Sequence, residues 1–212
     1  MNQSDINEYR QVWDNRYGNE EYAYGKQPNA FFAAQLEKLS AGRILMPADG
    51  EGRNGVYAAT KGWDVTACDL SAAGKTKALE LAGECGVNID YVVGDLMDLN
   101  FPEGHFDAIG LIYAHFPADV KSKLHHKLIT LLQPGGIVLF EAFSKNHIPF
   151  VTANPKVGGP KNIDMLFSAE EVAADFAGFD TILLTEEVVM LEEGAYHVGE
   201  GSVIRFVGRK PL

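Results

Sequence analysis

Apolar residues recur along the chain in short blocks that switch between two periods. Residues 29–39 set Phe31, Phe32, Leu36 and Leu39 near helical spacing, with Pro28 ahead of the first turn and Ser40-Ala41-Gly42 behind the last. From there residues 43–48 predict a strand, 53–61 a helix, 64–68 a strand, 71–84 a helix and 89–93 a strand. The alternation continues with an apolar strand over 106–112, a helix over 119–132 stopped by Gln133-Pro134-Gly135-Gly136, and a strand over 137–141. Such alternation predicts a parallel sheet with helices on both faces.

The last third changes character. Residues 152–161, rich in Pro, Gly and Asn, predict a loop over the sheet's edge, and Ser168 with Glu171 three residues on predicts a capping box that opens a short helix. Residues 181–191 and 202–208 predict two strands joined by a glycine-containing connection, EEGAYHVGEG. The expected architecture is α/β, a three-layer sandwich around a mostly parallel seven-stranded sheet that ends in an antiparallel hairpin. No repeat or linker divides it, so residues 1–212 are expected to form a single domain, with 1–40 as a cap segment on a core over 41–212.

Composition narrows the partners. Lys and Arg number 18 against 29 Asp and Glu, a formal charge of −11, which argues against nucleic acid and anionic membranes as partners. The start, MNQSDINEYR, has neither a basic n-region nor an apolar h-region, and no run approaches the roughly 18 apolar residues of a membrane span. With only Cys68 and Cys85, and no C-x-x-C, neither a disulfide framework nor a metal site is expected, and a cytoplasmic location is. Oligomeric state leaves no mark on the sequence.

The chemistry concentrates in RILMPADGEGRNGVYAATKGWDVTACDLS. Gly50, Gly52 and Gly55 spell G-x-G-x-x-G between a strand and a helix, with Asp69 at the end of the next strand. Taken literally, this is a dinucleotide fingerprint, and an NAD(P)-dependent oxidoreductase is one reading. Against it, the chain reverses again at Gly62, which leaves the helix about one turn short for that fold.

Four segments, ADGEGRN…GWDVTACDLS, VVGDLMDL, LQPGGIVLFEAF and GPKNIDML…EEGAYHVGEGSVIRFVGRK, resemble a class I S-adenosylmethionine-dependent methyltransferase, and the small tellurite-resistance-type branch in particular. The N-terminal WDNRYGNEEYAYGKQPN is similar to that branch too, so the likeness runs over nearly the whole chain. It implies a Rossmann-like fold, S-adenosylmethionine as cofactor, and in-line methyl transfer to a small-molecule acceptor. It also implies a cofactor site of Ala48, Asp49, Gly50, Gly52, Arg53, Asn54, Asp69, Leu70, Asp95, Leu96, Ile112 and Tyr113. Asp69 would accept both ribose hydroxyls, Asp95 would meet the adenine amino group, and Leu70 and Leu96 would wall the ring. Met46 and Ala48 depart from the family motif, which has an acidic residue and a glycine there; Asp49 is placed to compensate, and a non-catalytic cofactor-binding protein is a further reading.

Acceptor chemistry is less marked. Strand order in open α/β sheets puts ligands at the carboxyl ends of the strands, so IYAHFP brings His115 beside the transferable methyl, either as a base or as a polar rim residue. In the resembling branch EGxYH recurs with the GP loop, which makes Tyr196 and His197 candidates for the acceptor pocket. Glu141 and Lys145 are expected near its mouth, and Trp13, Tyr17, Tyr22 and Tyr24 as a flap or as core. His125 and His126, beside Lys123 and Lys127, are expected to face solvent. A soft acceptor that arrives deprotonated would suit a site with few obvious bases.

Overall fold

The computed structural model describes residues 3–212; Met1 and Asn2, at the head of the expected cap segment, lie outside them. Strands β1 (Arg43–Pro47), β2 (Asp64–Asp69), β3 (Asp90–Val93), β4 (Phe106–Ile112), β5 (Leu132–Phe143), β6 (Asp180–Glu193) and β7 (His197–Arg209) form one sheet in the order β3-β2-β1-β4-β5-β7-β6. The first five are parallel, and β7 runs antiparallel to both β5 and β6. Helices are α1 (Gln3–Tyr17), α2 (Ala30–Leu36), α3 (Arg53–Thr60), α4 (Ala72–Glu84), α5 (Lys121–Leu131), α6 (Ile148–Ala153) and α7 (Ala169–Asp175).

The strand period of two divides the core between the faces of the sheet. Ile44 and Met46 of β1 pack with Phe32, Val56 and Leu81 under α2, α3 and α4. Leu45, between them, packs with Ile109, Phe140, Leu124 and Val172 under α5 and α7. Ser168 and Glu171 make the predicted capping box at the start of α7.

Three sequence expectations need correction. The connection EEGAYHVGEG is mostly ladder: Val189 to Glu193 pair with Gly201 to His197, which leaves Gly194-Ala195-Tyr196 as the turn. Gly194 is required there, because its φ is 60° and a Cβ would lie 2.5 Å from the Ala23 carbonyl oxygen and from the Gly25 nitrogen. Likewise β5 begins at Leu132, through Gln133-Pro134-Gly135-Gly136, because Leu132 pairs with Phe106 and the Gly135 N–H donates to the Lys210 carbonyl. The segment 152–161 starts inside α6 and continues as a 3-10 turn over Pro155–Val157, with Val157 buried against Phe143 and Leu191.

His125 is also misplaced by the sequence reading: it is fully buried on the inner face of α5, whereas His126 is exposed. Its Nδ1 donates to Asp175 at 2.7 Å, and its ring stacks on Phe167 and Phe176. The missing signal was its partner, fifty residues away in α7. No helix among the described residues is long and apolar enough to cross a membrane.

Candidate active site

The order of the strands reverses between β1 and β4, and a cavity of about 810 Å³ opens at their carboxyl ends. One half is built by the glycine turn. Ala48 takes φ 53°, Gly50 φ 55° and Gly52 φ 82°, so three of five residues after β1 lie in the left-handed region. A Cβ on Gly50 would come within 2.5 Å of the Tyr17 hydroxyl, and one on Gly52 within 2.5 Å of the Ala78 Cβ. These two glycines shape the turn from behind. Ala48, Asp49, Arg53 and Asn54 face the cavity.

Asp69 caps this arrangement. Its Oδ2 accepts from the Gly50 N–H at 3.0 Å and its Oδ1 from the Ser71 N–H at 2.9 Å, so both oxygens are fixed with lone pairs to spare. Burial pushes its carboxyl up to about 6, against the pull of those backbone donors. Asp49 is buried as well: Oδ2 accepts from Gly55 N–H at 3.2 Å, and Oδ1 has no partner among the described residues. Burial, with Asp69 adding to it, holds that carboxyl well above the usual range. Met46 is packed in the core and is not on the cavity wall.

Leu70, Asp95 and Leu96 line the same half. Asp95 Oδ1 accepts from the Met97 N–H at 2.8 Å. Lys127, which the sequence reading passed over, ties this loop down by donating to the carbonyls of Leu96, Met97 and Leu99 at 2.8, 2.7 and 2.6 Å. Its targets are backbone atoms, so no residue pattern announces it.

The other half is walled by α1, by residues 155–162 and by the hairpin turn, with Ile112, Tyr113 and His115 at its floor. Tyr9, Trp13, Tyr17 and Tyr24 contribute; Tyr22 does not, because its ring covers Lys77 and its hydroxyl donates to the Lys77 carbonyl at 3.0 Å. Asp14 fastens α1 by accepting from the Ser71 hydroxyl and the Ala73 N–H. Glu141 and Lys145 are absent from the wall. Glu141 is buried behind it and bound by Asn29 at 2.6 Å and Arg205 at 2.5 Å, while Lys145 turns outward to Glu171.

Three histidines surround Phe143, and they are not equivalent. His115 Nε2 accepts from the Phe143 N–H at 3.2 Å, so Nδ1 donates to the Met165 carbonyl at 3.0 Å. Burial lowers it to about 4. Both nitrogens are used by backbone, which fits the rim reading and leaves His115 no lone pair for base chemistry. His147 is also doubly bonded, to Ser202 N–H and the Gly158 carbonyl. His197 Nδ1 donates to Glu193 at 2.9 Å, and the ring faces the cavity. Tyr196 is half in solvent, with the Arg16 guanidinium 4.8 Å over its ring.

Residues 44–136 match the family model for the methyltransferase domain. Over these residues, somewhat under half of its length, the chain is similar to methyltransferase domains. Its sheet order, with β7 inserted antiparallel beside β5, departs from the dinucleotide order, and the nicotinamide reading falls with it. Solved structures share the chain's fold at low identity. A protein from work on converting a disulfide bond into a thioacetal group in echinomycin biosynthesis has TM-score 0.74 and 18% identity over 96% of this chain and 92% of its own. TehB from Haemophilus influenzae has TM-score 0.70 and 16% identity over 95% and 66%. The N-methyltransferase NodS from Bradyrhizobium japonicum, in complex with S-adenosyl-L-homocysteine, has TM-score 0.69 and 13% identity over 96% and 98%. No curated protein matches the chain in sequence.

The residues present fit the cofactor. Asp49 lines the cavity and has an unpartnered buried oxygen, a fit for a donor such as an ammonium, and Asp69 keeps acceptor capacity for hydroxyls.

Proposed function

We propose that this chain is a methyltransferase that acts on a small-molecule acceptor, held between Tyr113, residues 155–162 and the turn at Tyr196. The observation that carries this is the enclosure of the acceptor half by three separate chain segments, within a cavity in the size range of small-ligand pockets, roughly 300–1,000 Å³. The acidic chain adds weight, since a polyanionic acceptor would meet a net charge of −11. The naming of NodS as an N-methyltransferase and the echinomycin origin of another neighbour point the same way.

When bound, S-adenosylmethionine supplies a methyl group already activated on a sulfonium. What the chain must add is alignment of an acceptor with that methyl and exclusion of water. Asp69 and Asp49 would hold the ribose and the ammonium, the loop tied by Lys127 would hold the base, and the aromatic face of α1 would close over them. Tyr113 and the hairpin turn would seat the acceptor.

Calorimetric titration with S-adenosylmethionine and S-adenosylhomocysteine tests the cofactor half, and mass spectrometry after incubation with small molecules, peptides and oligonucleotides tests the acceptor. Saturable binding that Asp69→Ala abolishes is expected, with mass gain of 14 Da units confined to small molecules. Methylation of peptide or oligonucleotide alone would overturn the proposal.

A further inference from the structure

His197 is the one histidine of the Phe143 cluster with an unbonded ring nitrogen among the described residues. A carboxylate can only accept, so the bond to Glu193 places the proton on Nδ1 and leaves the Nε2 lone pair free. Glu193 is itself fixed by two more donors, Arg53 Nη2 at 2.9 Å and Asn29 Nδ2 at 3.0 Å. The ring is held by Tyr24 at 4.6 Å, Tyr113 at 4.5 Å and Phe143 at 5.3 Å between centroids. Gly158 keeps the Cδ2–Nε2 edge uncrowded, since a Cβ there would sit 2.8 Å from His197 Cδ2 and 3.4 Å from Nε2. A buried imidazole with one nitrogen anchored, one open to the cavity and an oriented carboxylate behind it is the constellation of a general base.

Resting on the methyltransferase reading above, we propose that His197, positioned by Glu193, takes the proton from the acceptor, and that the acceptor is a small molecule with an un-ionised O–H or N–H group. The acceptor's oxygen or nitrogen bonds to the methyl carbon as the carbon–sulfur bond breaks, with that electron pair going to sulfur. The acceptor's proton passes to Nε2, and Glu193 offsets the imidazolium until it is lost to water. A soft acceptor that arrives as an anion would make this apparatus idle.

The groups facing His197 set its titration. Glu193 on its own hairpin raises it; burial and the charges of Arg53 and His147 lower it further, and Tyr24 and Tyr113 are neutral neighbours. Burial dominates, so His197 lies below the ordinary value and is unprotonated at neutral pH.

Long-range proton–nitrogen NMR on the whole protein, with and without S-adenosylhomocysteine, reads the tautomer directly. A neutral Nδ1–H ring at pH 7 is expected, titrating at still lower pH in Glu193→Gln. An Nε2–H tautomer, or a ring protonated at pH 7, would overturn the proposal. Turnover then tests the acceptor class with 4-methylphenol and aniline as un-ionised, proton-bearing probes, and with 4-nitrophenolate, a thiolate and selenite as ionised ones. His197→Gln should lose about 100-fold on the first set and under about tenfold on the second, at unchanged S-adenosylhomocysteine affinity. Equal losses on both sets, or wild-type turnover of ionised probes alone, would sink the idea. His197→Asn gives a second variant should Gln unfold the hairpin. Failure of S-adenosylhomocysteine to bind would count against the cofactor reading, while the tautomer is still read on the free protein.

Discussion

Among the described residues are two buried histidine–carboxylate pairs of nearly the same geometry. His125 donates to Asp175 at 2.7 Å, with Ser122 on the other carboxylate oxygen at 2.5 Å; His197 donates to Glu193 at 2.9 Å, with Arg53 and Asn29 behind. The difference lies at the far nitrogen. Nε2 of His125 is sealed among Phe140, Phe167 and Phe176 with no partner, whereas Nε2 of His197 opens on the cavity. One pair therefore locks α5 to α7, and the other is available for proton transfer. Residue types and distances do not separate them; access does.

Breaking the sealed pair should produce the largest effect on stability. Asp175→Ala strands His125 in an apolar core, and a loss of about 3–5 kcal/mol is expected in chemical denaturation. S-adenosylhomocysteine affinity should not change. Replacing both partners together, His125→Phe with Asp175→Leu, should recover most of the loss, because the imidazole and the carboxylate are then both gone and only the half-buried Ser122 hydroxyl loses its partner. If Asp175→Ala weakens cofactor binding as much as it weakens the fold, the sealed pair is not merely structural.

The open pair makes a pH-dependent contribution of its own. Burial pushes the Glu193 carboxyl up, but His197 and Arg53 outweigh it and hold it at about 2. A lowered carboxylate adds stability that is complete above its unfolded value and is lost as pH falls through the folded one. The wild-type protein should thus lose about 2–3 kcal/mol from this group between about pH 4.5 and 2. Glu193→Gln should flatten that part of the stability profile, and denaturation at stepped pH checks it.

Asp69 has the opposite sign. Its carboxyl, raised to about 6, is stabilising when protonated, so its contribution is present below about pH 4 and is lost as pH rises through 6. Hydroxyl donors require the ionised form, and S-adenosylhomocysteine should bind about tenfold more weakly at pH 5 than at pH 7. Asp49, raised in the same direction and facing an ammonium, adds to the trend. Titration calorimetry at the two pH values, with Asp69→Asn as control, decides the matter; a flat profile would remove Asp69 from the ribose site.

The contrast also explains what could be read from the sequence. Strand and helix alternation survives as a period, so the sheet, the glycine turn and Asp69 were legible. The lengths of β5 and the hairpin were not, because Gly135, Gly136, Gly199 and Gly201 look like loop residues while their backbones pair. Glu193 and His197 stand four apart and are visible together, but nothing local shows that Arg53 and Asn29 converge on them. His115 and Lys127 are bound to carbonyls and amides, which carry no residue signature. His125 depends on a carboxylate in another helix. Periodic packing is written locally, whereas the access that distinguishes the two pairs is created by tertiary closure.

The smallest effect expected concerns strain on the open side. Among the described residues the two non-glycines with positive φ are Ala48, at 53°, and Tyr113, at 52°, and both line the cavity. A left-handed alanine costs about 1–2 kcal/mol, and glycine relieves it at an entropic cost of roughly 0.5–1 kcal/mol. Ala48→Gly should therefore stabilise the protein by about 0.5–1 kcal/mol, a rise of about 1–4 °C in Tm for a chain of this size. Tyr113→Gly should not, since its ring packs on His197 and Phe143 and that contact would be lost. Differential scanning calorimetry on both variants separates the cases. If Ala48→Gly leaves Tm unchanged and instead weakens S-adenosylhomocysteine binding, then the methyl group at position 48 is a ligand contact, and the backbone strain there serves the cofactor.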